Sequence, residues 1–412
     1  MAETSVGRKN FFNAFKLPYP VLAIATGSLM SRFGTSMVIP YITVLLVEAK
    51  HLPIYWGGLT IGLYYLAQAL MGSLGGHKLS KIEPFKLIKV GIFFYTLLFI
   101  VLGLISRFVH TPLLVGFSFV LCFLLLGTCA SIIETTGQFV ISSLTPMPQK
   151  YFAFNLRYTF INIGTSIGPL VAIALGILNT NWVFYATAIA IFVYFALIKF
   201  TVNTKIPAST NGEHSNFLHA FTVLFQDKKL LYFIIAAILC YIGFSQMNTL
   251  FAYVTYHYAL PSHVFAVMYA INGLCIILLQ VPIGHYIKRF NIYYVIAVGI
   301  ILLTIGLLGT ALSSTHALLY YLSMFIFTLG EMCSLSLVGV YIDQLATPER
   351  RYIYFGISNF ALIGSIMGPP LATMITHYFN VEIGLISAGV VTVFGVPFIL
   401  AAKRAVALSI TK

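Results

Sequence analysis

The sequence predicts an all-α polytopic membrane protein with twelve transmembrane helices in two pseudo-symmetric six-helix bundles. Three observations lead there. Apolar runs follow one another along nearly the whole chain, basic residues gather on alternate connectors, and short motifs recur at an offset of about 200 residues, the mark of an internal duplication.

Of the 412 residues, 59% are hydrophobic and 8% are charged, and the mean hydropathy is +0.96. Soluble proteins carry roughly a quarter charged residues. A bilayer span takes ~20 predominantly apolar residues. Runs of that kind predict helices at 19–47, 54–76, 87–106, 113–143, 153–177 and 183–203, then at 229–257, 262–285, 292–313, 317–345, 352–377 and 379–402. Runs longer than the bilayer requires imply tilt or projection beyond it. The N-terminal stretch has no apolar core followed by a small-residue cleavage site, so the first span is expected to stay in the mature chain. Cys122, Cys129, Cys240, Cys275 and Cys333 all fall inside apolar runs without a CxxC spacing, which reads as small core residues.

The net charge of +13 is scattered between spans rather than collected on a polar domain, which argues against nucleic-acid binding. Connectors on one side hold only Lys50 and Arg107, whereas Lys78/Lys81, Lys86/Lys89, Lys228/Lys229, Lys288/Arg289, Arg350/Arg351 and Lys403/Arg404 lie on the other. The positive-inside rule then puts both termini in the cytoplasm, in a multi-pass protein of the cell inner membrane. The polar stretch 204–228 divides the chain into bundles at 1–203 and 229–412. Within it Phe217, Phe221, Leu224 and Phe225 share one helical face after Ser215, a candidate cap. That pattern predicts a short amphipathic helix, lying on the membrane or on the protein's own inner face.

The repeat is specific. Gly164-Thr-Ser-Ile-Gly168-Pro169 returns as Gly364-Ser-Ile-Met-Gly368-Pro369, Gly76-His-Lys-Leu-Ser-Lys81 has a counterpart in Gly284-His-Tyr-Ile-Lys-Arg289, and Thr145-Pro146 has one in Thr347-Pro348. Parallel halves with matched motifs predict a site between them near mid-membrane.

These residues resemble the major facilitator superfamily over essentially the whole chain, nearest to its proton-driven drug and metabolite exporters. The loop sequence GHKLSKIEPFK from Gly76 to Lys86 keeps the family's glycine and a basic residue, but has Ser80 at the acidic position and Glu83 at the second glycine. RYTFINIGTSIGP resembles the antiporter-type Gly-x-x-x-Gly-Pro element, and small residues four apart let helices approach closely. Arg32 and Pro40 fit the family's first helix, without the paired glutamates of a peptide-importer branch. The resemblance implies alternating access, with Gly164, Gly168, Pro169, Gly364, Gly368 and Pro369 at moving helix contacts. It also implies a cytoplasmic clamp of Asp343 with Arg289, with Lys81 in the matching loop. A monomer without cofactor or metal is expected, its partners being a small solute, protons and the bilayer.

Ionisable side chains at mid-membrane cost at least ~2.5 kcal/mol each, so they mark candidate sites. Arg32, Glu134 and Glu331 qualify, with Arg157 nearer a span end. The resemblance puts Arg32, Glu134 and Glu331 on cavity-lining spans. Carboxyl groups there can take and release protons as access alternates, which makes Glu134 and Glu331 the proton-coupling candidates, with a structural lock to an arginine as the alternative. Arg32 suits either a pair with Glu134 or the anionic group of a solute. Arg157, Asn162, Gln138, Tyr241, Gln246 and Asn248 are candidate solute contacts, or else bonds between helices.

The expected function is proton-coupled efflux of a small amphipathic drug or metabolite. An anionic metabolite such as a carboxylate siderophore or peptide, moved in either direction, is the alternative. No GxxxxGK[ST] element or HExxH motif occurs, which leaves primary transport and a membrane enzyme or sensor behind.

Overall fold

A computed structural model of the chain describes residues 17–79, 82–176, 181–202, 217–345, 354 and 357–410, and among them all regular structure is helical. The first six long helices are α1 (Tyr19–Val38), α2 (Tyr55–Leu79), α3 (Pro84–Phe108), α4 (Pro112–Leu144), α5 (Met147–Ala174) and α6 (Trp182–Thr201). A short α7 (Phe217–Gln226) precedes α8 (Lys228–Phe244), α9 (Leu250–His257), α10 (His263–Ile287), α11 (Ile292–Leu312), α12 (Ala317–Cys333), α13 (Val338–Leu345), α14 (Ile363–Tyr378), α15 (Val381–Val393) and α16 (Gly395–Ile410). Ten stretches, from Tyr19–Ala49 to Val381–Ala405, are long and apolar enough to cross a membrane. α2 and α5 equal them in length but carry more polar residues. The five cysteines are free, and Cys122, Cys129 and Cys240 are buried.

Five stretches predicted as single helices are interrupted: the eleventh has a 3-10 turn at Asn359–Leu362, the twelfth breaks at Phe394 between α15 and α16, and the other three breaks have a visible cause. In the first, Pro40 has no N–H to donate, and the chain passes through a 3-10 turn at Ile39–Tyr41. In the seventh, Ser245 Oγ and Gln246 Nε2 both donate to the Ile242 carbonyl (2.8 and 2.9 Å) and Thr249 Oγ1 donates to that of Ser245 (3.0 Å). Side chains thus compete for the carbonyls that a continuing helix needs, and a 3-10 turn forms at Ser245–Asn248. After α12, Ser334 and Ser336 do the same to the carbonyls of Gly330 and Met332 beside the turn at Leu335–Leu337. Other boundaries shift less. α2 runs on to Leu79 and α10 to Ile287, so the repeated Gly-His motifs close helices rather than sit in loops. Glu83 caps α3, accepting from the N–H groups of Phe85 (3.1 Å) and Lys86 (2.6 Å), which gives the carboxylate there a structural task.

Packing repeats with the motifs. Gly164 and Gly168 bring α5 against Leu29, Phe33 and Ser36 of α1, and Gly364 and Gly368 bring α14 against Ile238, Ile242 and Ser245 in and just beyond α8. A Cβ at Gly164 would lie 2.5 Å from the Leu29 carbonyl oxygen, and one at Gly364 would overlap that of Ile238. The corners that follow are also alike. His51 and Ala259 adopt φ of 53° and 52°, each is followed by Leu-Pro, and the Leu52 and Leu260 amides donate back to Leu46 and Thr255 (both 3.0 Å). The pairs Leu29/Ile238, Phe33/Ile242 and Ser36/Ser245 share one spacing, whereas the corners have a spacing one residue shorter. A π turn at Leu45–Ala49, which lies between them, absorbs the extra residue.

Contacts between the helices before and after α7 include several toward the face carrying these corners, and Tyr158 of α5 and Gln280 of α10 bond further from it. Gly58 of α2 meets Pro369 and Thr373 of α14, and Gly273 of α10 meets Asn162 and Ser166 of α5. At the corner face itself, Tyr41 sets its ring edge-on to Phe265 (5.0 Å) and donates to the Pro169 carbonyl (3.3 Å), and Tyr55 meets His377 (5.2 Å).

Candidate functional site: a charge cluster and a solitary carboxyl

α1, α4 and α5 bring three ionisable groups together at mid-depth. Glu134 Oε1 accepts from Arg157 Nη2 at 2.6 Å and from Gln138 Nε2 at 3.2 Å, and Glu134 Oε2 lies 3.6 Å from Arg32 Nη2. Arg157 Nε donates to Ser28 Oγ (3.1 Å), which donates to the Ile24 carbonyl (2.9 Å). Helical spacing explains the set: Ser28 and Arg32 are one turn apart on α1, as are Glu134 and Gln138 on α4. The Arg157 side chain is 7% exposed, against 33% for Glu134 and 42% for Arg32. Arg157 is therefore a fixed internal cation, while Arg32 turns a face into an open crevice, with Tyr64, Tyr65 and Tyr95 in electrostatic reach.

The second site is on α12. Glu331 is half-buried, and its Oε2 accepts from Asn272 Nδ2 of α10 at 2.8 Å. Asn272 Nδ2 also donates to Thr328 Oγ1 (3.1 Å). Among the described residues no cation reaches ion-pair distance of Glu331; the two ion pairs found there both belong to Glu134. The positions matching the cluster, counted from the shared packing of the repeats, are Ala237 for Ser28, Tyr241 for Arg32 and Ile357 for Arg157. The charge cluster thus belongs to the N-terminal set of helices alone.

Between these sites runs a hydrogen-bonded roof. Asn248, presented by the 3-10 turn beyond α8, donates to Tyr65 OH of α2 (3.0 Å) and accepts from Tyr269 OH of α10. It ties the two sets of helices together on the corner side of the crevice.

The other residues singled out from the sequence are dispersed. Gln246 is fully buried, with Nε2 turned to its own helix. Asn162 is buried at the α5–α10 contact, donating to the Tyr158 carbonyl (2.9 Å). Tyr241 is half-buried beside Gly364, within the field of Glu331. Gly164, Gly168, Gly364 and Gly368 pack within their own set of helices; the opposite faces of α5 and α14, Pro369 included, meet the other set, and the Pro169 carbonyl accepts from Tyr41. Arg289 is exposed. Lys81 lies outside the described residues, and so does the side chain of Asp343, which takes their clamp with it. Ser28, Asn272, Tyr65 and Tyr269 were not anticipated. Ser28 could have been found by its place one turn before Arg32, and Asn272 as an amide inside a span. The tyrosines carry no such signal among 25 of their kind.

A family model, the Major Facilitator Superfamily, matches residues 24–362 and again 233–409. An uncharacterized MFS-type transporter of Bacillus subtilis (strain 168), YqjV, is 25% identical over 399 residues, covering 94% of this chain and 95% of its own. Another from Escherichia coli (strain K12), YdeE, is 27% identical over 360 residues, covering 84% and 86%. Among solved structures, a peptide transporter POT in complex with sulfate superposes with a TM-score of 0.76 at 15% identity, over 95% of this chain and 96% of its own, which is a likeness of fold. With its all-helical architecture and a family model that spans most of its length, the chain belongs to the Major Facilitator Superfamily and is a multi-pass membrane transporter.

Proposed function

We propose that the chain is a proton-coupled secondary transporter of twelve spans in two six-helix bundles, exporting a small amphipathic drug or metabolite across the inner membrane in exchange for protons. The observation that carries this reading is Glu331, a carboxyl inside the bundle that is held by one neutral amide and open on one side to the crevice. Glu134 is different, since two guanidinium groups and Gln138 surround it and favour a permanently charged form. Proton coupling is therefore assigned to Glu331 alone, and Glu134 becomes the keystone of the arginine cluster. With both termini cytoplasmic, as the charge bias favours, the contacts at the corner face close the outside and the crevice opens inward. Export is favoured by the antiporter-type element at Gly164–Pro169.

A second reading, transport of an anionic metabolite, is favoured by the open face of Arg32. Purified protein in liposomes with an internal pH dye and an imposed pH gradient tests the main reading. Addition of a transported solute should drive proton movement whose sign gives the direction of exchange. Glu331→Gln should abolish that movement while solute binding persists, and unchanged proton flux in this variant would remove Glu331 from the mechanism.

A further inference from the structure

Arg32 and Glu331 stand on opposite sides of the crevice, one on α1 and the other on α12, and each has bonding capacity that the protein leaves unused. Arg157 commits Nη2 to Glu134 and Nε to Ser28. Arg32 reaches Glu134 only at 3.6 Å, beyond hydrogen-bond length, with 42% of its side chain open. Two guanidinium groups share a single carboxylate, so this wall carries one surplus positive charge. On the other wall Glu331 accepts at Oε2 from Asn272, and among the described residues Oε1 accepts no hydrogen bond. Arg32 and Glu331 do not pair with each other. Tyr269, which closes the roof with Asn248 and Tyr65, lies in the field of both charges, so they flank the same end of the crevice.

We infer that this crevice takes small amphoteric solutes, with Arg32 binding the anionic group and Glu331 the protonated amine. The inference rests on the proposed role of Glu331 and adds the group that competes with the proton there. An anion alone would satisfy Arg32 and leave Glu331 to its proton. A cation alone would leave the surplus charge beside Arg32 uncompensated. A solute with both groups neutralises both walls at once, and half-buried Tyr65, in electrostatic reach of Arg32, offers its body an aromatic neighbour. Coupling follows without further parts, because the ionised carboxylate can hold an ammonium or become neutral by taking a proton, not both. A proton arriving from one side displaces the solute's amine, and departure of the proton restores the site.

The test uses the full chain in lipid nanodiscs and isothermal calorimetry with phenylalanine, phenylalanylglycine and phenylalanyldiglycine. Each probe is compared with its N-acetyl form, which lacks the cation, and its C-terminal amide, which lacks the anion. At least one zwitterion should bind, with both derivatives weaker by about tenfold or more, as the loss of a charge-assisted hydrogen bond predicts. Glu331→Gln should bring the zwitterion down to its N-acetyl form, and Arg32→Gln should bring it down to its amide. Acidification should weaken the wild type and leave Glu331→Gln unmoved. Partial recovery in Glu331→Asp guards against simple misfolding. Failure of all three zwitterions to bind, or N-acetyl forms that bind as tightly as their parents, overturns the inference. The proton role is judged separately by infrared spectroscopy without solute: a titrating carboxyl band that vanishes in Glu331→Gln upholds it even if every probe fails, and absence of that band sinks both.

Discussion

Glutamate to glutamine is the same small change at positions 134 and 331, and the structure predicts opposite results for stability. At 134 the change removes the carboxylate that neutralises Arg157, whose side chain is 7% exposed and whose remaining partner is Ser28. Breaking a buried pair and stranding the cation costs about 3–5 kcal/mol. Glu134 itself is 33% exposed, which puts the expectation at the low end, about 3 kcal/mol, or more than a hundredfold in the folded-to-unfolded ratio. The looser Arg32 contact, 3.6 Å long and open to the crevice, adds at most ~1 kcal/mol. At 331 a glutamine keeps the volume and an oxygen acceptor for Asn272, and no cation is stranded, so the loss should stay within ~1 kcal/mol. Reversible unfolding from mixed detergent micelles measures both. The double variant Glu134→Gln with Arg157→Gln should recover much of the deficit, because no buried charge then lacks a partner. Equal losses at the two glutamates, or a Glu134→Gln variant within ~1 kcal/mol of wild type, would refute the division of roles.

Two further outcomes follow from the packing. Gly364→Ala forces a methyl onto the Ile238 carbonyl and should cost ~1–3 kcal/mol in the same unfolding assay, whereas Gly284→Ala, which has open space at its Cβ, should cost nothing. Asn248→Ala removes both bonds of the roof, worth about 0.6 kcal/mol each by the membrane average, and should speed amide exchange at the corner end of α2 over Tyr55–Tyr65; unchanged exchange there would mean the roof does not hold the helices together.

The architecture was legible because the bilayer imposes it. Backbone groups must be satisfied within each segment, so an apolar run of sufficient length can only be a helix, and the duplicated glycine motifs marked where pairs of helices touch. Intramembrane charge was equally readable, because the insertion cost makes Arg32, Glu134 and Glu331 conspicuous against 59% hydrophobic residues. The pairing of Arg32 with Glu134 was one of the options read from the sequence, whereas the tighter partner, Arg157, was not named as such. Glu134 and Glu331 look alike on paper, and only the depth and rotation of α5, which deliver Arg157 to one and not to the other, separate them. Breaks at Ser245 and Ser334 escaped notice for a related reason. Serine and threonine occur harmlessly in many spans, as Thr304 and Thr310 do in α11, and a helix yields only where several such side chains claim neighbouring carbonyls. Asn248 and Gln246 likewise read either as solute contacts or as bonds between helices, and the turn that carries them aims one across the roof and buries the other.

Duplicated halves that keep the same packing yet differ in charge cannot feel the membrane voltage equally. Arginine stays protonated at any physiological pH, so in the proposed alternating-access cycle the helices carrying Arg32, Arg157 and Glu134 would keep a surplus charge throughout. In the opposite helices, on the proposed role of Glu331, the charge at mid-depth would change with its protonation. Since a full elementary charge crossing 100 mV is worth about 2.3 kcal/mol, even partial movement of the arginine cluster would bias which face is open, and on the proposed role of Glu331 its protonation would alter the electrical work of the return stroke.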